Sequence, residues 1–258
     1  MKIALVGYGK MGHMLARAAS LRGHDVVCTV DPFAEDASVV TGDVKAMADA
    51  IVKSGAEGVI EFSHPTSVLA NIRALVPTGI PLVVGTTGWQ GELESVKALV
   101  AEHGSPFLYS SNFSVGVNLF YRMVSNAARL MAQFEEYDVA LFEAHHNQKA
   151  DSPSGTSLDV ARRVMAEMPR KTTLITDPFT RRPEPQELHL ASLRVGSVPG
   201  THTVFFDSSA DTIELTHTAR NREGLALGAV RALEWLSAQD GGKLKKGVFT
   251  MNDVFDSL

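Results

Sequence analysis

The first forty residues leave this chain few choices of fold. Lys2 to Val6 is a short apolar run. Gly7-Tyr8-Gly9-Lys10-Met11-Gly12 follows at once, and Met11, Leu15, Ala18 and Ala19 then recur at helical spacing. A second apolar run, Val26 to Val30, ends on Asp31, 19 residues after Gly12. Strand, G-x-G-x-x-G turn, helix, strand and terminal acid, in that order and spacing, form the dinucleotide fingerprint in the context it requires. The glycines let the backbone turn tightly and approach a pyrophosphate. The helix start offers N–H groups and a partial positive charge to it. Asp31 is placed to accept hydrogen bonds from the adenine ribose. A plain strand–turn–helix, with glycines only for close packing, is the weaker alternative.

The alternation continues. Gly58 to Phe62, Pro81 to Val84 and Phe107 to Tyr109 read as strands, the last of them the final strand of the set. Val68, Leu69, Ile72 and Leu75, then Leu93, Val96 and Val100, read as the intervening helices. Strands alternating with helices imply βαβ units and a parallel sheet covered on both faces. After Asn112 the pattern changes. A long helix carries Leu119, Met123, Ala127, Leu130 and Phe134, and a strand spans Asp138 to Ala144. A helix from about Gly155 presents Leu158, Ala161, Met165 and Met168, with Thr156 and Asp159 spaced as a capping box. Strands follow at Leu188 to Val195, Thr201 to Phe206 and Thr212 to Thr218, the last two joined by a hairpin-like turn. A helix at about Glu223 to Leu236 and a short tail close the chain. The expected fold is α/β: a Rossmann-type doubly wound parallel sheet over 1–115, completed by 218–258, plus an α+β domain with a mixed or antiparallel sheet over 116–217.

Composition excludes several classes. Among 258 residues, 24 basic and 29 acidic side chains leave a net charge of −5. That balance argues against a nucleic-acid surface, which needs clustered Lys and Arg. The one dense basic cluster, Lys243, Lys245 and Lys246, reads as a solvated face. No run reaches the ~20 apolar residues of a membrane span, and the start is too short in apolar residues for a signal peptide. The single cysteine, Cys28, lies in an apolar run and reads as a small buried hydrophobe, which fits a reducing compartment. A cytoplasmic protein is expected.

Two further loops fall where strands of such a sheet deliver them to a ligand: Phe62-Ser63-His64-Pro65 and Gly85-Thr86-Thr87-Gly88. Asp31 also bears on cofactor choice. Its carboxylate repels a ribose 2′-phosphate, and its neighbours are Pro32 and Phe33 rather than a cation, so NADH is expected to serve at least as well as NADPH. Lys10 in the loop softens that preference.

The most unusual stretch is Glu143-Ala144-His145-His146-Asn147-Gln148-Lys149-Ala150-Asp151-Ser152-Pro153-Ser154-Gly155-Thr156. Two imidazoles, one ammonium and three hydroxyls gather between a strand and a helix start. Hydroxyls and N–H groups at a helix start suit a carboxylate, and Lys149 and the histidines add charge and protons. The stretch is shaped for a small anion with more than one carboxylate. Three plainer readings stand beside it: a metal site, helix caps, or a solvated lysine. Adjacent histidines rarely chelate one ion, and no other His or Cys lies nearby at ligand spacing, so no metal ligand is assigned. No Tyr is followed four residues later by Lys, and Gly-x-Ser-x-Gly is absent. These absences argue against a short-chain dehydrogenase and an α/β-hydrolase.

The stretch is similar to E-A/L-H-H-x-x-K-x-D-A-P-S-G-T, the signature of the 4-hydroxy-tetrahydrodipicolinate (dihydrodipicolinate) reductases of the diaminopimelate route to lysine. Glu61-Phe62-Ser63-His64-Pro65, Gly85 to Gly88, Ser111 to Asn118, Arg194-Val195-Gly196 and Gly200 to Val204 resemble other blocks of that family, so the likeness covers nearly the whole chain. The resemblance implies NADH- or NADPH-dependent reduction of a cyclic imine dicarboxylate. It implies His145 as proton donor or acceptor and Lys149 as general acid at the ring nitrogen. It implies His146, Ser154, Gly155 and Thr156 as carboxylate contacts. Gly7, Tyr8, Gly9, Lys10, Met11, Gly12, Asp31, Phe62, Gly85, Thr86, Thr87, Ser110, Ser111, Asn112 and Phe113 are the implied cofactor contacts, and a homotetramer built through the second domain's sheet is the implied assembly. Departures are Asn147 and Gln148 where many members carry Arg and His, Ser152 in place of Ala, a phosphate loop one residue shorter, and no Arg after the acid. Two other classes stay open: another two-domain nicotinamide dehydrogenase, and a dinucleotide-binding redox sensor without turnover.

Overall fold

A computed structural model describes residues 1–238 and 242–256. The chain divides into two compact units, Met1–Val115 with Glu223–Leu258, and Gly116–Arg222. The closing segment expected at 218–258 includes 239–241 and 257–258, which lie outside the described residues.

In the first unit the strands are β1 (Lys2–Val6), β2 (Asp25–Asp31), β3 (Val39–Val40), β4 (Gly58–Glu61), β5 (Leu82–Val84) and β6 (Pro106–Tyr109). The helices are α1 (Lys10–Leu21), α2 (Val44–Lys53), α3 (Val68–Leu75) and α4 (Leu93–His103). The second unit holds α5 (Val115–Met131, entered from the first), β7 (Asp138–His145), α6 (Gly155–Glu167), β8 (Thr173–Ile175), β9 (Glu187–Arg194), β10 (Thr201–Asp207) and β11 (Thr212–Thr218). The chain then returns to the first unit through α7 (Glu223–Ser237), β12 (Gly247–Phe249) and α8 (Met251–Asp256).

The first sheet is parallel, in the order β12-β6-β5-β4-β1-β2-β3. Its strands are apolar on both sides because both sides are covered. One core gathers Val59, Val84 and Phe107 with Met47, Ile72 and Val100, from α2, α3 and α4. The other gathers Leu5, Ile60 and Leu108 with Leu15, Ala229 and Leu233, from α1 and α7. Strand order reverses between β1 and β4, so the loops after these two strands flank the crevice where such sheets bind ligands. Tyr109 does not end the sheet: β12 pairs beyond β6. Helix α2 and the two-residue edge strand β3 also lie where no element was expected. The segments are short, and α2 follows a polar stretch with no marked periodicity.

The second sheet is mixed, in the order β11-β10-β7-β9-β8. β7 pairs antiparallel with β10 and parallel with β9. Val139, Leu141, Leu190, Val204 and Phe206 meet α5 and α6 in one core. The stripe expected to bury α5 is the wrong one. Leu119, Met123, Leu130 and Phe134 are exposed, while Val117, Phe120, Tyr121, Val124 and Ala128 are buried. The helix is apolar on two sides, and periodicity alone does not say which side meets the sheet. Along α6 the expected face does meet the core: Ala161 and Met168 are buried, Leu158 and Met165 pack against them partly buried, and Ser157, Val160 and Val164 complete the buried side.

Helix α7 lies so close to the chain leaving β6 that a Cβ on Gly228 would sit 1.7 Å from the Phe113 carbonyl oxygen. Gly228→Ala must therefore move backbone, and a loss of about 3 kcal/mol or more in chemical denaturation is expected. Gly224→Ala, whose Cβ would meet only the Ser114 hydroxyl at 3.4 Å, is expected to lie within about 1 kcal/mol of the parent.

Candidate active site

The glycine turn after β1 is built as a backbone cradle. Gly7 has φ +88°, and a Cβ there would be 2.1 Å from the Phe62 carbonyl oxygen. A Cβ on Gly12 would be 2.4 Å from the Gly7 carbonyl oxygen, whereas one on Gly9 would meet nothing within 4 Å. The turn is thus closed toward the protein and open at Gly9. No side chain caps α1, and its first turn carries no acidic residue, so its N–H groups and dipole are available to an anion. These are the features a pyrophosphate needs.

Asp31 closes β2 beside this turn. One of its oxygens accepts from the Tyr8 N–H (2.8 Å), the other from the N–H groups of Phe33 (2.8 Å) and Ala34 (3.0 Å). Burial pushes its pKa up, but these hydrogen bonds outweigh it and hold the carboxyl below its ordinary value. Phe33 beside it is 90% exposed. A cleft next to the turn is lined by Gly7, Pro32, Thr41, Asp43, Ser63 and Asn71. Of the other expected cofactor contacts in this unit, Lys10, Thr87 and Ser111 are exposed, and Tyr8, Met11, Phe62, Gly85, Ser110 and Asn112 are partly buried. Gly12 and Thr86 are buried. Phe113 is a core residue, its ring 5.8 Å from that of Phe62, so only its backbone can face a ligand.

The second cluster forms at the C-terminal end of β7. Glu143 and His145, two apart on the strand, face the same side. Glu143 is fully buried. Its Oε1 accepts from the Ser154 N–H (2.9 Å) and the Arg194 guanidinium (3.0 Å), and its Oε2 accepts from the Ser157 hydroxyl (2.6 Å). Burial pushes its pKa up, but the hydrogen bonds from Ser154, Ser157 and Arg194 prevail and hold the carboxyl at about 2. One ionised carboxylate therefore joins β7, β9 and the start of α6.

Ser154, not Thr156, caps α6. Ser154 is extended (φ −69°, ψ 155°) and its hydroxyl accepts from the Ser157 N–H. The helix starts at Gly155, so Thr156 is already its second residue, and the expected Thr156–Asp159 capping box is not formed. Gly155 is exposed at the helix start and Thr156 is partly buried.

His145 is 7% exposed, with Nδ1 3.3 Å from Glu143 Oε2. Its Nε2 faces Gly200, where a Cβ would approach to 3.0 Å. Burial lowers its pKa against the opposing pull of Glu143. His146 is partly buried. Lys149 contacts both oxygens of Asp151 at 2.9 and 2.7 Å, and its side chain is 24% exposed. The lysine is thus held in the loop rather than free in solvent.

His202, from β10, is the member that spacing alone does not find. It pairs in register with Glu143, its ring lies 5.1 Å from that of His145, and Nε2 is 3.4 Å from the Ser154 hydroxyl. Burial, aided by His145, pushes its pKa down to about 4. Donor atoms of Glu143, His145 and His202 lie within 4.8 Å of one another. Both Glu143 oxygens are already engaged within the protein, one of them by a guanidinium.

These shifts make stability sensitive to acid. Glu143 has a folded pKa near 2, below the ~4.3 of an unfolded glutamate. Its contribution is complete above the unfolded value and is lost as pH falls toward the folded one. Glu143→Gln is expected to be markedly less stable than the parent at pH 7, and the gap should shrink between pH 5 and pH 3 in urea unfolding curves. The depressed His202 acts in the same direction, removing stability as pH falls from about 6.5 toward 4.

Residues 1–113 match the family model described as dihydrodipicolinate reductase, N-terminus, and residues 116–255 match dihydrodipicolinate reductase, C-terminus. The chain is 36% identical over 258 residues to a 4-hydroxy-tetrahydrodipicolinate reductase of Christiangramia forsetii, covering 100% of this chain and 99% of the relative. It is also 36% identical over 265 residues to one of Archaeoglobus fulgidus, covering 99% and 100%. Its fold matches the dipicolinate-bound dihydrodipicolinate reductase from Paenisporosarcina sp. TG-14 with a TM-score of 0.75, at 19% identity and 98% coverage of both chains. With both halves matched in order and curated relatives aligned end to end, the chain belongs to the dihydrodipicolinate reductase family.

Proposed function

We propose that this protein reduces 4-hydroxy-tetrahydrodipicolinate to tetrahydrodipicolinate with NADH or NADPH, in the diaminopimelate route to lysine. One observation carries the reading: β7 ends on His145, Glu143 two residues before it holds the Ser154 N–H at the start of α6, and the loop between strand and helix carries His146 and Lys149. A redox sensor has no need of such a cluster. The first unit is the dinucleotide-binding domain, with Gly7 to Gly12, Asp31, Phe62, Gly85 to Thr87 and Ser110 to Phe113 as its contacts. The second is the substrate-binding domain.

Gly7 to Gly12 and Asp31 would hold the reduced nicotinamide dinucleotide, which would supply a hydride to the substrate's C4. The C4 hydroxyl leaves as water, so each turnover consumes one proton. The α6 start, with the Ser154 and Thr156 hydroxyls and His146, holds the substrate carboxylates. Lys149 donates a proton toward the ring nitrogen. His145, its pKa lowered by burial, is neutral near pH 7 and exchanges a proton with the bound dicarboxylate. Glu143 fixes the helix start and sets a negative charge 3.3 Å from His145 Nδ1.

Cofactor choice follows from Asp31, whose carboxylate meets a ribose hydroxyl better than a phosphate. Assembly follows from the second sheet. Register places Phe142, Ala191, Leu193, Thr203 and Phe205 on the face opposite the helices, and this face is the proposed contact surface of a homotetramer. The reading extends to a cytoplasmic location, which the single, buried cysteine fits. No helix among the described residues is long and apolar enough to cross a membrane.

The direct test makes substrate in place, from pyruvate and aspartate semialdehyde with the preceding synthase, and follows NADH absorbance. Oxidation above the synthase-free control is expected, and its absence with both cofactors would refute the activity. Lys149→Ala is expected to lower kcat by about 10²-fold, and unchanged turnover would return Lys149 to a surface role. The kcat/KM for NADH is expected to equal or exceed that for NADPH, and a tenfold preference for NADPH would contradict the role of Asp31. Light scattering should report a tetramer.

A further inference from the structure

Glu61 is a buried carboxyl that the mechanism does not use. It is the last residue of β4, is 0% exposed, and sits in register between Val6 of β1 and Val84 of β5. Oε1 accepts from the Ser63 hydroxyl, from the Ser63 N–H at 3.3 Å and from the Asn71 side-chain amide at 3.1 Å. Asn71, on α3, also donates to the Ser63 hydroxyl at 3.1 Å, and Ser63 lies 3.2 Å from the Ser67 hydroxyl. Oε2 and the hydroxyl of Thr86, a group that acts on this carboxyl, are both buried with no hydrogen-bond partner. Burial shifts the carboxyl toward its protonated form, against the pull of its hydrogen bonds.

We infer that Glu61 is a positioning residue for the dinucleotide: its carboxyl ties the loop after β4 to the loop after β5 from beneath. Ser63 belongs to the first loop and Thr86 to the second. A protonated carboxyl accepts through Oε1 from Ser63 and Asn71 and has one donor left, and the Thr86 hydroxyl is the oxygen beside it. The loops have no slack to absorb its loss. A Cβ on Gly85 would lie 1.9 Å from the Phe62 ring, and the Phe62 carbonyl already abuts Gly7. A displacement at Ser63 or Thr86 therefore moves the loops after β1, β4 and β5 together.

This inference rests on the dinucleotide reading above, and the test separates the two. NADH is titrated by fluorescence without substrate against parent, Glu61→Ala, Glu61→Gln and Thr86→Val, and each variant is checked by thermal unfolding. Glu61→Ala and Thr86→Val are expected to raise the Kd for NADH about tenfold, the scale of one lost hydrogen bond of this kind. Glu61→Gln should stay within about threefold of the parent, because its amide accepts from Ser63 and Asn71 and donates to Thr86. Under turnover, the KM for NADH should rise in the first two while the KM for the dicarboxylate stays unchanged. Parent-like NADH binding by folded Glu61→Ala, or a Glu61→Gln as weak as Glu61→Ala, overturns the assignment. If Glu61→Ala does not fold, parent-like binding by Thr86→Val overturns it instead. A parent that binds neither NADH nor NADPH refutes the dinucleotide reading itself.

Discussion

The second unit depends on one buried ionised carboxylate. An apolar residue at position 143 would pack well at the end of β7, and burying a charge is expensive unless it is fully paired. Glu143 is fully paired: a backbone N–H, a hydroxyl and a guanidinium converge on it from α6 and β9. Those bonds decide where α6 begins, and they hold Arg194 against the loop that carries Lys149. They also keep His145 and His202 beside a negative charge, yet both imidazoles remain neutral because burial outweighs it. The resulting site has its charges fixed before any anion arrives, which is the condition for strong electrostatic work in a water-poor site.

The first unit solves a different problem. Its parallel sheet must be covered on both faces, and the five central strands are too short to do more than fill that core. The proposed ligand contacts fall instead to the loops at their C-terminal ends. The glycine turn, the loop ending in Asp31 and the Phe62–Pro65 loop all arise there. Helix α7, returning from the second unit, completes one face and locks the exit of β6 through Gly228 and Phe113.

Sequence alone carries local features of this molecule well and distant ones poorly. The G-x-G-x-x-G turn and Asp31 are contiguous in chain and in space, and so is the stretch from His145 to Thr156. The seven-stranded sheet is less visible, because β3 and β12 are edge strands of two and three residues, too short for a strand pattern to show. Burial on α5 is misread for a physical reason: Leu119 and Phe120 are equally apolar, and only the sheet decides which one turns inward. Arg194 and His202 reach Glu143 across 51 and 59 residues of chain, and no local period encodes them. Thr156 reads as a cap until Ser154, extended after Pro153, takes the position.

The central claim is that a hydride passes from the nicotinamide to C4 of a cyclic dicarboxylate while the protein supplies protons and anchors. The most direct measurement is mass spectrometry of product formed with NADH deuterated at the transferable C4 position, in water of natural abundance. The account expects one deuterium per product molecule, bonded to C4. Product formed without that deuterium, while the nicotinamide is oxidised, would contradict it.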